Sequence, residues 1–321
     1  MLCILSANSD IFFNLAAEEF LLMHSKKDIC MLWQSDESVV VGKHQNAMAE
    51  VNYLWTFKNN IPVARRLTGG GTVYHGPGNL NFTFIRNGET GKLVDFKRFV
   101  TPIINYLHSL GILAEAGSRN DILVNGLKIS GNAEHVYKTR VLHHGTLLFN
   151  ADLDKLKESI KVNKQNFRDR AVQSVRSQVT NIKDLLPMEM TINEFESGLF
   201  NYLQHYYNLF ERYELIPSEI NEINGLRSDK YLTNNWIYGY SSSFEFSKTI
   251  RWQGNPVKIQ MKIIKGHISQ IHLEHDPENT MWLEIKKQLT DCEYSFPAIQ
   301  NRLKRIISNK DENQLLSEMF F

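Results

Sequence analysis

A chain of 321 residues is too long for one ordinary compact core, and 42% hydrophobic against 22% charged residues describes a soluble globular protein of two domains or one with an appendage. Lys+Arg of 36 against Asp+Glu of 35 leaves a formal net charge of +1, which gives no reason to expect a nucleic-acid or membrane partner. The three cysteines, Cys3, Cys30 and Cys292, lie far apart without a CxxC pair, so a disulfide framework or thiolate zinc site is disfavoured and a reducing compartment fits.

The N-terminus, Met1 to Asn8, has no basic residue before its few apolar ones and soon meets Asp10, unlike a signal peptide. No apolar run approaches the roughly 18 residues that span a bilayer. A cytoplasmic protein is expected. Leu2 to Leu5 is a short apolar run, and Asn14 can cap a helix carrying Ala16, Phe20 and Met23 on one face. Ile29 to Trp33 and Val39 to Val41 read as strands joined at Ser35-Asp36-Glu37. After the loop Gly42 to Asn46, the positions Val51, Leu54, Trp55 and Lys58 suit another amphipathic helix.

Ile61 to Ala64 then leads into Arg65-Arg66-Leu67-Thr68-Gly69-Gly70-Gly71-Thr72-Val73-Tyr74-His75. Two guanidinium groups, three consecutive glycines and an imidazole stand here between two strand-like segments. Glycine lets a small anion approach the main-chain N–H groups, and arginine adds a planar fork for the same oxygens. The stretch by itself reads equally as a glycine turn joining two strands and as an anion cradle.

Gly76-Pro77-Gly78 forces a turn, and Asn79 to Ile85 alternates Leu80, Phe82 and Phe84 with Asn79, Asn81 and Thr83, a half-buried strand whose polar face could line a site. A helix from about Asp95 follows, with Phe96, Phe99, Val100, Ile103, Leu107 and Leu110 at helical spacing and Gly111 as its C′ residue. Ile122 to Val124, Leu127 to Ile129 and Val141 to Phe149 are strands, the first two joined by the hairpin signal Asn125-Gly126. From Asp152 to Arg170 the chain is polar and helical. Beyond Pro187, Thr191-Ile192-Asn193-Glu194 is a capping box opening a helix with Ile192, Phe195, Leu199, Leu203, Tyr206 and Phe210. A looser connector from Ser218 to Ser243 precedes strands at 244–252, 257–264 and 268–273, and helical sequence closes the chain. That ending makes a small α+β appendage.

Neither GxxxxGK[ST] nor GxGxxG after a first strand occurs, so any ATP site is of another type. Asn120-Asp121 enters one strand of the Asn-Gly hairpin and Lys128 sits on the other, where alternation places Lys128 and Ser130 on one face. A lone strand lysine is most often a solvated edge residue. His143 and His144 are adjacent on a strand and point to opposite faces.

The ordered set of the Arg65 to His75 stretch, Gly78-Asn79, Asn120-Asp121, Gly126 to Ala133, His143 to Leu148 and Ser174 to Ser177 resembles lipoate-protein ligase A. Asn14 to Glu19 and Val40 to Asn46 match as well, and the tail, with Phe244-Glu245-Phe246 and Lys265 to Ile268, is similar to that family's C-terminal accessory domain. The resemblance implies an α+β fold: a mixed-sheet biotin/lipoate ligase catalytic domain, like the class II aminoacyl-tRNA synthetase core, over residues 1–243, and a small α+β accessory domain over 244–321.

It also implies two half-reactions. Lipoate and Mg-ATP give lipoyl-AMP and pyrophosphate, and the ε-amine of an acceptor lysine then displaces AMP. The implied partners are lipoyl domains of 2-oxoacid dehydrogenase acyltransferase subunits and the glycine cleavage H protein, met by a monomer. Lys128 is the implied catalytic residue. Arg66, His75 and the amides of Gly69, Gly70 and Gly71 would frame lipoyl end and phosphates. Asn79 and Asp121 would bind nucleotide or Mg²⁺, and Thr146, Ser130, Gly131 and Ala133 would lie near the adenylate. Val73, Tyr74, Leu15 and Phe82 are the candidates for the acyl tunnel.

The family commonly has an acidic residue directly after the motif histidine, where this chain has Gly76. The cysteines lie outside Asn120 to Thr146, which disfavours an octanoyltransferase, and the missing GRGRxG disfavours biotin-protein ligase. A lipoyltransferase using preformed lipoyl-AMP or another lipoyl carrier, and a catalytically inert module binding lipoyl domains, are the other readings.

Overall fold

A computed structural model describes residues 1–88, 95–208, 211–275 and 279–321. In chain order its strands are β1 (Leu2–Ser6), β2 (Ile29–Trp33), β3 (Ser38–Val41), β4 (Val63–Arg65), β5 (Val73–His75), β6 (Asn79–Asn87), β7 (Glu115–Ala116), β8 (Asp121–Val124), β9 (Leu127–Tyr137), β10 (Arg140–Leu148), β11 (Phe167–Arg168), β12 (Glu211–Arg212), β13 (Phe244–Trp252), β14 (Asn255–Ile264) and β15 (His267–Glu274). The architecture is α+β, as the resemblance implies.

The residues fall into two compact units that interleave along the chain. One comprises Met1–Lys43, Val63–Lys157 and Ser174–Leu232, the other His44–Pro62, Glu158–Gln173 and Thr233–Phe321. The first is built on a mixed sheet in the order β12-β1-β2-β6-β10-β9-β8-β7, in which β12, β1 and β2 are parallel and every later pairing is antiparallel. A small sheet, β4-β3-β5, belongs to the same unit. The helices Phe96–Ser109 and Ile192–Tyr207 cover one face of the large sheet, burying Phe82, Phe84, Phe99, Leu107, Phe195 and Leu203. At roughly 1.5–3 kcal/mol for each such side chain this core is the main support of the unit. The other face carries the helix Ile11–His24, through Glu18, and the site described below.

The capping box at Thr191 forms as the sequence predicts, with Glu194 returning a carboxylate to the Thr191 N–H at 2.7 Å; Phe210, expected on that helix, lies outside the described residues. Other expectations change. The first helix starts at Ile11 because Asp10 accepts from the N–H groups of Phe12 and Phe13, so Asn14 is buried inside it. Two short helices, Ala47–Glu50 and Tyr53–Lys58, replace the single one because Asn46 and Asn52 each cap a new start. The polar stretch after Asp152 is α-helical over Leu153–Ser159, takes a single 3-10 turn at Lys164–Asn166 and ends in β11, which pairs with β13. The expected connector is a helix at Pro217–Leu226, begun by proline at its first turn and Glu219 accepting from Ile216 N–H. Two π-helical turns, Arg227–Tyr231 and Asn235–Gly239, follow it.

The second unit holds the sheet β11-β13-β14-β15, whose inner face buries Phe244, Phe246, Ile259 and Met261 against Trp282, Ile285 and Leu303 of the last helices, with Met48 in the same core. Among the described residues no helix is long and apolar enough to cross a membrane.

The helix-covered face of the large sheet also buries a polar cluster. Asn132 donates from Nδ2 to Ser130 Oγ and to the Asn120 carbonyl, each at 3.2 Å, which turns its Oδ1 to His143 Nε2 at 3.3 Å. That nitrogen therefore carries the proton, and Nδ1 presents a lone pair to Glu134 Oε1 at 2.8 Å. Burial, aided by Asp95, pushes the Glu134 carboxyl up to about 7, and burial also holds His143 well below its usual range, so a protonated Glu134 donates to a neutral imidazole. The folded pKa exceeds the ordinary 4.5, so Glu134 contributes full stability below about 4.5 and loses it as pH rises through about 7. Glu134→Gln keeps a donor and removes the titration. Urea unfolding at about pH 5 and pH 8 should show the variant gaining on wild type at the higher pH; a pH-independent difference would contradict this assignment.

Candidate active site

The strand pair β8-β9 closes with Asn125 and Gly126 at φ of 52° and 78°, the two-residue turn that Asn-Gly predicts. Its ladder then slips, since Ile122 faces Ser130 while the next residue, Leu123, faces Lys128. Ile129 is the extra residue of a β-bulge, and beyond it the alternation is inverted. This overturns the expectation that Lys128 and Ser130 share a face. Ser130 is fully buried with Asn132 on the helix-covered side, whereas the Lys128 side chain folds over Gly131, where an added Cβ would stand 3.0 Å from Nζ. Glycine at 131 gives the lysine its place.

Lys128 is half-buried, and no hydrogen-bond or ion-pair partner holds its ammonium among the described residues. Burial lowers its pKa, the nearby Asp121 carboxylate raises it and the Arg66 guanidinium lowers it again. Its backbone is held on the other side by the segment after Ser174, through Lys128 N–H to the Gln178 carbonyl and Thr180 N–H to the Lys128 carbonyl.

A row of residues crosses the sheet at this level. Asp121 pairs with Gly131, the Gly131 N–H donates to Thr146 Oγ1 at 3.4 Å, Thr146 pairs with Asn81, and Asn81 with Trp33. Asp121 is 7% exposed, and Gly117 passes so close to its carboxylate that any side chain there would collide. Asn79 precedes Asn81 on the same face. Each asparagine donates from Nδ2 to a carbonyl at 3.3 Å, Asn79 to Tyr74 and Asn81 to Trp33. A carbonyl only accepts, which fixes both amides, and both Oδ1 atoms are buried without a partner.

The glycine loop lies above this row, Gly70 approaching the Ala133 side chain at 3.9 Å from a built Cβ. Arg66 holds the loop by spending its own donors on it: Nη2 bonds the carbonyls of Gly69 at 2.6 Å and Gly71 at 2.7 Å, Nη1 that of Val40 at 3.1 Å, and Nε Thr68 Oγ1 at 2.9 Å. The guanidinium is therefore an internal staple, and burial lowers its pKa to about 10. Gly70 has a φ of +85°, and Gly42 meets the Gly70 carbonyl so closely that only glycine fits there. Thr72 N–H donates to Ser174 Oγ at 2.9 Å, which ties the loop's far end to the segment that holds Lys128.

The staple continues into the sheet. Thr68 Oγ1, having accepted from Arg66, donates to His144 Nε2 at 2.8 Å, and His144 Nδ1 bonds both oxygens of Glu18, at 2.9 and 3.0 Å. Thr83 donates to Glu18 at 2.5 Å and accepts from Trp33 Nε1 at 3.1 Å. Every hydroxyl in this chain accepts one hydrogen bond and donates one, a consistent direction that gives His144 the Nδ1–H tautomer.

His75 is 4% exposed beside Trp33, with ring centroids 5.6 Å apart, and its Nδ1 has no partner. Burial, then the nearby Arg66 guanidinium, lowers its pKa to about 3, so the imidazole is neutral. Tyr74 points the other way and its ring lies 3.3 Å from where a Cβ on Gly76 would stand, so an acidic residue at 76 would have to displace it. Val73 is half-buried on β5.

The structure thus brings Lys128, Gly131, Ala133, Thr146, Asp121, Asn79, His75 and the Gly69 to Gly71 loop to one face. Ser130 it places on the opposite face. Phe82 is there too, packed within the core against His143, so it is no tunnel wall. Leu15 is buried within the first helix. Sequence reasoning assigned no role to Glu18, Trp33, Thr68, Asn81 or Thr83; the alternation of Asn79, Asn81 and Thr83 was the available signal for the last two.

Residues 10–204 match the lipoyl protein ligase A/B catalytic domain, and residues 241–320 match the bacterial lipoate protein ligase C-terminus. The chain is 36% identical over 270 residues to the lipoate-protein ligase LplJ of Bacillus subtilis, covering 82% of this chain and 81% of that one. It is 34% identical over 298 residues to lipoate–protein ligase 1 of Staphylococcus aureus, covering 92% and 90%. Solved structures at 27% identity include a T. acidophilum protein with bound lipoic acid, TM-score 0.63 over 74% of this chain and 98% of that one. Another is a lipoate-protein ligase A bound with ATP, TM-score 0.62 with the same coverage. A third is the bi-partite T. acidophilum ligase studied with its E2 lipoyl domain, TM-score 0.65 over 74% and 96%.

Proposed function

Because the chain belongs to the lipoate-protein ligase family, with both a catalytic and a C-terminal domain of that family, we propose that it performs both halves of lipoate ligation, ATP-dependent activation and transfer. The observation that carries this reading is the unpaired ammonium of Lys128, held by the bulge on the face of the glycine loop. In the first step the lipoate carboxylate attacks the α-phosphate, a C–O–P link forms, and the bond to the β-phosphate breaks as pyrophosphate leaves. Two anions must meet, so the barrier is largely electrostatic, and a fixed cation with no competing partner lowers it. In the second step an acceptor lysine amine attacks the acyl carbonyl. Lys128 polarises that carbonyl, an amide forms and AMP departs.

Arg66 serves by shaping the loop and adding charge at short range, its hydrogen bonds being committed to carbonyls. Among the described residues no three His, Cys, Asp or Glu side chains group as a metal site. The buried Asp121 carboxylate, beside the lysine, would offer a hard oxygen ligand to a magnesium ion, which would supply charge neutralisation at the nucleotide phosphates. The acceptor proposed is a lipoyl domain, the partner studied with the T. acidophilum ligase.

Lipoate-dependent release of pyrophosphate from ATP tests the reading. Release, followed by mass gain on a lipoyl domain, is the expected result. Transfer from synthetic lipoyl-AMP without pyrophosphate release would overturn the activation half and leave a transferase.

A further inference from the structure

Asn81 presents a buried acceptor that the reaction itself does not use. It is 1% exposed, its Nδ2 is committed to the Trp33 carbonyl, and its Oδ1 has no partner, on the face that carries Lys128. A buried amide oxygen left unpaired is costly, so a ligand that reaches it is favoured if it brings a donor and penalised if it brings only methylenes.

The spacing of the sheet says which part of an acyl substrate reaches it. Asn81 stands on β6, and Gly131, under the Lys128 ammonium, on β9, with β10 between them. Two strand spacings amount to about 10 Å. An extended eight-carbon acid measures about 9 Å from carboxyl carbon to end. A chain with its carboxylate at Lys128, laid along the row over Thr146, therefore ends at Asn81 and Trp33. His75, whose Nδ1 is likewise buried and unpartnered, flanks Trp33 at the same end.

We propose that Asn81 is a specificity-determining residue that reads a hydrogen-bond donor at the far end of the acyl chain, and that the form it favours is the ring-opened dithiol of the substrate. This rests on the acyl-ligase reading above. A closed dithiolane has sulfur acceptors only, and octanoate has neither donor nor acceptor there. The dithiol brings S–H groups, weak donors that an otherwise unpaired carbonyl accepts.

Pyrophosphate release from ATP by the full chain, with dihydrolipoate, lipoate and octanoate as the three acids, tests the proposal. Wild type should show kcat/KM for dihydrolipoate about tenfold above octanoate and also above lipoate. In Asn81→Leu, which fills the site without a polar atom, the dihydrolipoate-to-octanoate ratio should fall to near one, mostly through better octanoate use. Asn81→Ala should show the same fall should the leucine variant not fold. A wild type without the preference, or a ratio unchanged in the folded variant, overturns the role of Asn81 alone. No pyrophosphate with any of the acids overturns the acyl-ligase reading and this proposal with it.

Discussion

Lys128→Met should lower kcat/KM for lipoate-dependent pyrophosphate release by about 10²–10³ or more, while the protein remains folded. Methionine keeps the unbranched shape and most of the volume of the side chain over Gly131 and removes its charged end. Since no group pairs with the ammonium among the described residues, its loss orphans nothing, and its half-burial makes the apolar substitute neutral or mildly stabilising. Activity and stability should separate completely at this position. In activation the variant loses the cation that neutralises the meeting anions, and in transfer the group that polarises the acyl carbonyl, so synthetic lipoyl-AMP should not rescue it. A variant within threefold of wild type in both assays would refute the mechanism.

His144→Ala should destabilise the catalytic unit by about 3–5 kcal/mol. The imidazole bonds a nearly fully buried carboxylate on one side and Thr68 on the other, so its removal leaves Glu18 without its main partner and Thr68 without an acceptor. Glu18→Gln should cost far less, because the amide oxygen still accepts from His144 and Thr83 can accept from the new N–H₂. Urea unfolding of the full chain, followed on the transition of this unit, distinguishes the two variants. A His144→Ala midpoint close to that of Glu18→Gln would mean that the relay carries little energy. Through Thr68 and Arg66 the same loss loosens the carbonyls of Gly69 and Gly71, so KM for lipoate should rise in the surviving folded fraction.

The sequence made the main elements and the motif set legible for local reasons. Asn125-Gly126 can close only one kind of hairpin, Thr191 and Glu194 form a capping box from adjacent residues, and the alternation from Asn79 to Ile85 marks one polar face. What escaped depends on partners distant in the chain. The bulge at Ile129 is a property of how β8 meets β9, so strict alternation kept Ser130 on the site face with Lys128, whereas the structure turns Ser130 to the core. Arg66 looked like a ligand for anions, since nothing local reveals that its donors are taken by the carbonyls of its own loop and of Val40. Glu18 carries no local sign of its role because its partners, Thr83 and His144, lie 65 and 126 residues away. Pro217 and Glu219 were helix-start signals in plain sight, obscured by the serine-rich stretch that follows.

The interleaving of the two units has a consequence during synthesis. Residues 44–62 belong with residues 233–321, so Met48 and its neighbours leave the ribosome roughly 180 to 200 residues before β13 exists for them to pack with. At ordinary elongation rates that interval lasts roughly 10–40 s. For that time an apolar segment waits without its core, and β11, made later, waits a shorter interval for the strand it pairs with. The nascent chain is thus exposed to chaperones and proteases in its first third, far from the domain whose completion finally shelters it.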